Sequence, residues 1–281
     1  MKKTDFGDRM KLYEGIEAER TLIPLLPVMA RLDGRAFHTF CRGLAKPYDK
    51  RMTRLMAATT AYLVEETNAL AGYCQSDEIS LVWLSTDIKS QILFNGRTQK
   101  LVSILAAMAT AKFNQLLPQY LPERAGVMPL FDCRVWNVPN KVEAANTFSW
   151  REEDATRNSI NAAGQANFSH KDLQGKHPGQ IQEMLWSQKQ INWNDYAPEF
   201  KRGVWVQKVR VEKPFTAEEI ERLPAKHDAR TNPGLKVERW ELRELDMPPF
   251  RQVTNRVEVL FEGATPIKAT ENPEVRNEPL P

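Results

Sequence analysis

Cysteine is scarce in this chain: Cys41, Cys74 and Cys133 are odd in number and far apart. That spacing excludes a disulfide framework and paired zinc ligands, and buried free thiols are expected. Long apolar runs are lacking as well, since none approaches the roughly 18 to 20 residues that span a bilayer. Met1-Lys2-Lys3-Thr4-Asp5 turns acidic at once, without the apolar stretch of a signal peptide. A cytoplasmic protein with no membrane partner is the expectation. Glycine is sparse at 13 of 281 residues, and no Gly-x-Ser-x-Gly elbow or Walker-type loop occurs, so serine-hydrolase and P-loop chemistry drop out. Internal repeats and low-complexity tracts are missing too. No charge sign dominates: 39 Lys and Arg against 36 Asp and Glu leave +3, so a polyanion would have to be met by a local basic patch.

What the chain does hold is enough apolar residue, 42% hydrophobic beside 27% charged, for a large core in one big domain or two small ones. The run Leu25-Leu26-Pro27-Val28-Met29-Ala30-Arg31-Leu32 ends abruptly in Asp33-Gly34-Arg35. It reads as a buried strand delivering a carboxylate. Residues 71–75 and 79–84 read as two strands joined tightly at Ser76-Asp77-Glu78. Met52, Leu55, Met56, Thr59, Leu63 and Val64 trace a long amphipathic helix between the first strand and this hairpin. After the Asn95-Gly96 turn signal, Leu101, Ile104, Leu105, Met108, Phe113 and Leu116 trace a second helix, expected to stop at Pro118. Residues 131–136 make a fourth strand, and Phe6, Met10, Tyr13 and Ile16 mark an outer helix ahead of the first. The order strand, helix, strand, strand, helix, strand predicts an α+β fold, the ferredoxin-like βαββαβ unit used by polymerase and cyclase palms. That order fixes an architecture and leaves the activity open.

The palm is expected over 1–138. Residues 139–200 are polar and helical in pattern, with Trp150, Ile160, Phe168, Met184, Leu185 and Trp186 as apolar points, and predict a helical, fingers-like appendage. Residues 201–281 predict antiparallel strands at 203–211, 235–240 and 253–261, a short helix opened by Thr216, and a loose proline-rich tail at 272–281.

Two-metal phosphate chemistry needs acids fixed by a rigid scaffold, and strand ends supply such places. Asp33 and Asp77 meet that requirement if the hairpin pairs beside the first strand, with the Gly34 carbonyl left accessible. Such hard oxygen ligands suit magnesium. The competing reading makes Asp33 a turn cap and Asp77-Glu78 solvated hairpin residues. Arg97 and Lys100, one turn apart at the start of the second long helix, form either a phosphate clamp or a solvated face. Lys46 carries the same ambiguity. His38 follows Asp33 closely enough to line its cleft, although a lone histidine is more often structural, and His170 and His177 lack zinc-ligand spacing.

Asp33-Gly34-Arg35-Ala36-Phe37-His38, Ala45-Lys46-Pro47-Tyr48-Asp49 and Gln75-Ser76-Asp77-Glu78-Ile79-Ser80 arrive in the order and spacing of the tRNA-histidine guanylyltransferase superfamily, which the chain closely resembles. Arg97-Thr98-Gln99-Lys100 resembles that family's triphosphate-binding Arg-x-x-Lys, and Phe131-Asp132-Cys133-Arg134 its fourth palm strand. Gly7-Asp8-Arg9-Met10-Lys11 resembles the opening of the guanylyltransferase-like branch. The resemblance, over residues 5 to about 170, implies a palm that adds nucleotides in the 3′-to-5′ direction to the 5′ end of tRNA. It implies two magnesium ions held by Asp33, the Gly34 carbonyl and Asp77, with Glu78 beside them as a third catalytic acid; manganese should substitute, since both ions accept oxygen ligands. It implies GTP, and ATP, as substrates, with nucleotide contacts from Arg35, Ala36, Phe37, His38, Lys46, Asp49, Ser76, Arg97, Lys100 and Asn158, and a homo-oligomer, a tetramer.

One departure stands out. Where the histidine-specific enzymes carry His-Ile-Asn-Asn-x-Tyr-Asn-Thr, this chain has Thr156-Arg157-Asn158-Ser159-Ile160-Asn161-Ala162-Ala163, and only Asn158 survives in register. The guanylyltransferase-like branch departs similarly, and its members repair 5′-truncated tRNA against the opposite strand. Lys171, Lys176, Lys201, Arg202 and Lys208 are either RNA contacts or ordinary surface charge. A palm-type nucleotide cyclase and an inactive nucleotide- and RNA-binding module use the same fold and remain alternatives at this stage.

Overall fold

The computed structural model describes residues 5–269 apart from Gln91 and Pro233. The tail expected at 272–281 lies outside the described residues. Helix α1 (Asp5–Ala18) precedes β1 (Val28–Gly34), then come α2 (Phe37–Phe40), α3 (Lys50–Thr67), β2 (Ala71–Gln75), β3 (Glu78–Trp83), α4 (Thr98–Tyr120) and β4 (Phe131–Asn137). The strands β1, β2, β3 and β4 with α3 and α4 form the expected βαββαβ unit, in the sheet order β4-β1-β3-β2. Beyond it lie α5 (Lys141–Asn167), α6 (His170–Leu173), α7 (Pro178–Lys189), α8 (Pro198–Arg202), β5 (Val204–Pro214), α9 (Ala217–Arg222), β6 (Lys236–Leu245) and α10 (Arg256–Phe261).

β5 pairs with β2 and β6 with β5, so among the described residues the palm sheet grows to six antiparallel strands. One face carries α3 and α4 over a core that includes Ala30, Leu32, Leu55, Leu63, Leu81 and Phe113. The other packs α5 and α10 over Met29, Tyr73, Val82, Phe148, Trp205 and Phe250. Strand alternation explains the division, because successive β1 residues must face opposite sides. A third cluster, Ile160, Ala163, Ile181, Leu185 and Phe200, holds the appendage together. Gly203, at φ +83°, turns α8 into β5 so close to β2 that a Cβ there would stand 2.4 Å from the Cys74 carbonyl oxygen.

Several elements differ from expectation. Residues 256–261 are helical, because Val257, Leu260 and Phe261 also satisfy i, i+3, i+4 spacing and burial of Val259 and Leu260 selects that option. α4 runs through Pro118 to Tyr120, since a proline in the last turn removes one hydrogen bond while Leu117 and Leu121 stay fully packed. α4 is also long and apolar enough, by length and composition, to cross a membrane, yet its Leu101, Leu105, Ala109, Phe113 and Leu117 seam lies in the core. Phe6, Met10, Tyr13 and Ile16 do lie on a helix, but all four are exposed. The three cysteines are free thiols, Cys74 and Cys133 buried and Cys41 half-buried.

Candidate active site

β1 brings Asp33 to the end of the sheet, and the pairing register sets it opposite Glu78 of β3 and Asp132 of β4. Directly opposed residues share a face, so these acids, with Arg31, look toward α5. Asp77 sits in the β2–β3 turn, where its backbone carbonyl accepts the Gly34 N–H at 3.0 Å and locks the turn to the end of β1. Gly34 is required there: a Cβ would stand 2.3 Å from the Phe37 ring, which is buried among Phe40, Phe113 and Phe131.

These elements enclose a cleft of about 1000 Å³ between the sheet end, the loop before α3, and α5 with α8. Asp33, His38, Lys46, Asp49, Ser76, Asp77, Glu78 and Asn158 all line it. Among the described residues neither Asp33 nor Asp77 has an ion-pair partner. Burial, and then the charge of Asp33, hold the Asp77 carboxyl above its ordinary range, while the Ser76 hydroxyl acts the other way. Two carboxylates that line one cleft, neither of them ion-paired among the described residues, and a backbone carbonyl at Gly34 form a donor set of hard oxygens. That set fits magnesium, which takes one or two carboxylates and completes its shell with water and phosphate.

Glu78 stands differently. Arg151 of α5 grips both its oxygens, at 2.6 and 2.7 Å, and Arg31 approaches at 3.8 Å. The Arg151 guanidinium also reaches Asp154 at 2.9 Å, which in turn holds Arg157 at 2.9 Å and Asn158 at 3.4 Å. Glu78 therefore ties the hairpin to α5. Asp49 is also committed, since it caps α3 through the Arg51 N–H at 3.0 Å and pairs with the Arg51 guanidinium, which together hold its carboxyl below the usual range. Its side chain fixes the 45–49 loop and leaves that loop's backbone to face the cleft. Lys46 is exposed and has no ion-pair partner among the described residues. Tyr48 stacks on Phe200 at 4.4 Å and 10°.

Other expected positions lie apart. Phe37 is core, so only its backbone can reach a ligand, and Arg35 and Ala36 are exposed beside it, Arg35 donating its N–H to Leu130. Arg97 and Lys100 are exposed at the start of α4, beside the bridge between Thr21 and Arg97. They occupy the end of the sheet where β1 begins and β3 finishes, opposite the end that carries Asp33 and Asp77. Lys201 is buried, held by the Asn194 carbonyl and the Trp193 ring, and so leaves the list of RNA contacts. His177 caps α7.

The profile of the tRNAHis guanylyltransferases, Thg1, matches residues 7–139. A bacterial tRNA(His) guanylyltransferase (Thg1)-like protein solved with ATP is 34% identical, covering 85% of this chain and 91% of its own, with a TM-score of 0.69. The structure of a bacterial Thg1-like protein with GTP is 31% identical over 88% of this chain and 94% of its own, at a TM-score of 0.65. The tRNA(His) guanylyltransferase of Schizosaccharomyces pombe is 31% identical over 221 residues, 73% of this chain and 81% of that one. The chain belongs to the tRNA(His) guanylyltransferase family. That family is one of nucleotidyltransferases, so the cleft must be weighed as a site for nucleotides. Three features of this Thg1-family cleft escaped sequence reasoning: Arg151 as the partner of Glu78, the Tyr48–Phe200 stack, and Trp150, half exposed at the cleft with Arg151 4.5 Å and Arg31 5.8 Å from its ring. A signal existed for two of them. Trp150, Arg151, Asp154, Arg157 and Asn158 recur at helical spacing, one functional stripe on α5.

Proposed function

We propose that this protein is a magnesium-dependent nucleotidyltransferase that extends the 5′ end of tRNA in the 3′-to-5′ direction, using GTP or ATP-derived nucleotides chosen against the opposite strand. The observation that carries this reading is that Asp33 and Asp77, neither ion-paired among the described residues, line one cleft of about 1000 Å³ at one end of a palm sheet. Asp33, Asp77 and the Gly34 carbonyl would hold the metal, whose chemistry is neutralisation of charge on the transferring phosphoryl group. Lys46 meets phosphate oxygens at the cleft mouth. The 45–49 loop, fixed by Asp49, lies beside a base, and Trp150 offers a face on which a base can stack. Catalysis by these groups is positioning and electrostatic stabilisation, with no covalent step on the protein. Cytoplasmic tRNA and a homo-oligomeric enzyme complete the proposal.

The test is incubation with magnesium, labelled GTP and a tRNA lacking its first nucleotide. Label should enter the 5′ end, and Asp33→Ala and Asp77→Ala should each reduce incorporation to background while circular dichroism and melting stay close to the parent. Near-normal incorporation by either variant would remove the metal assignment. Cyclic nucleotide formed from GTP alone would replace the whole reading.

A further inference from the structure

α8 separates the cleft from a second cavity of about 340 Å³, and Glu199 lines both. The floor of this second cavity is Glu152, with 5% of its surface exposed. Its Oε2 accepts the Phe250 backbone N–H at 2.6 Å. Its Oε1 has no hydrogen-bond partner within 3.5 Å, the Trp205 indole N–H is the side-chain donor turned toward it, and Glu199 Oε1 meets only the Lys50 ammonium, at 3.9 Å. A buried carboxylate oxygen left without a donor is costly and asks for one. Nearer the mouth stand Asp246, exposed and without an ion pair among the described residues, and Glu244, whose oxygens Arg54 holds at 2.8 Å. Val204, Leu245 and Met247 form apolar wall between floor and mouth.

We propose that this cavity binds an aliphatic diamine or polyamine, one ammonium on Glu152 and Glu199, the methylenes along the apolar wall, and a second ammonium at Asp246. Four carboxylates and Arg202 line the space; Arg54 holds Glu244 and Lys50 stands 3.9 Å from Glu199, so Glu152 and Asp246 are the acids that favour a positively charged guest. An ammonium brings three donors, one of them for the Glu152 Oε1 that has no hydrogen-bond partner. The cavity is outside the reaction proposed above, so its occupancy can be read without RNA or nucleotide.

The experiment is calorimetric titration of the full chain at pH 8, where the Glu152 carboxyl is ionised, with 1,4-diaminobutane and with spermidine, beside sodium chloride and magnesium chloride at matched ionic strength. Saturable binding of one diamine per chain is expected, weakened at least tenfold by Glu152→Gln, which keeps an acceptor for Phe250, and by Asp246→Asn, a change at the exposed rim. Asp246→Asn decides the matter alone if Glu152→Gln fails to fold. Absence of saturable binding, equal binding by the variants, or an equal response to magnesium chloride overturns the proposal and leaves the cavity to water.

Discussion

At the scale of single residues, the cleft separates acids that are free from acids that are committed. Arg151 satisfies both oxygens of Glu78, and both side chains are largely buried. Removing one partner of such a pair strands the other, a penalty of about 2 to 3 kcal/mol for a pair not wholly out of water. Arg151→Ala should lower stability by that amount in urea unfolding, and should cost more in turnover than in nucleotide affinity, because Asp154 and Asn158 lose their anchor with it. Glu152 offers a pH signature. Burial pushes its carboxyl up to about 7 from 4.5, so the folded chain keeps a proton that the unfolded chain releases. The stability this gives is complete below pH 4.5 and is lost as pH rises through 7, on the order of 3 kcal/mol in all. Unfolding of Glu152→Gln at pH 5 and pH 8 should show that the variant lacks this fall and is the more stable of the two at pH 8.

At the scale of elements, the β1 end, α2 and the β2–β3 turn behave as one unit, joined by the Gly34 to Asp77 hydrogen bond and by the Phe37 ring beneath Gly34. Gly34→Ala should push that ring into Phe40, Phe113 and Phe131 and destabilise the protein by about 1 to 3 kcal/mol, visible as a lower melting temperature. Phe37→Leu in the same chain should recover part of the loss, since the narrower side chain leaves room for the new methyl. Much of this unit was legible beforehand. An apolar run ending in Asp33-Gly34, and two strands around Ser76-Asp77, state their own boundaries because local patterning and turn chemistry agree there. Asp49 was expected as a nucleotide contact; it lines the cleft, but its carboxylate is taken up as the cap of α3, which the sequence did not announce. Glu78 was read as a third acid at the metals, and its partner Arg151 lies 73 residues away on a helix whose approach no local pattern announces. Arg97 and Lys100 illustrate the converse. Their helical spacing was right, yet only the strand register places the start of α4 at the far end of the sheet from Asp33.

At the scale of the molecule, the departure from the histidine-specific pattern at 156–163 bears on which nucleotide is added. With Thr156 exposing no imidazole, selection should fall to pairing with the opposite strand of the acceptor stem, the protein reading RNA shape and backbone. Truncated tRNAs of several amino-acid families, with C or A as the opposing base, should accept GTP opposite C in every family. Efficient G addition opposite A, confined to tRNA-histidine, would place the chain in the other branch. The palm as a whole was readable from element order. The extension of its sheet was not, because period-two alternation in β5 and β6 marks them as strands without naming the neighbour, and β5 finds β2 across about 130 residues of chain.

That late partnership has a consequence for how the protein is made. β4 leaves the ribosome some 67 residues ahead of β5, a delay of roughly 3 to 13 s at ordinary synthesis rates. Throughout it β2, the strand leading into Asp77, is the open margin of the nascent sheet, with its outer amides and carbonyls unclaimed and the Tyr73 ring lacking the Trp205 that later covers it. An unpaired margin is a template for other chains. The newborn protein is therefore most vulnerable to misassembly beside its own future active site, and the last strands to be translated end that exposure.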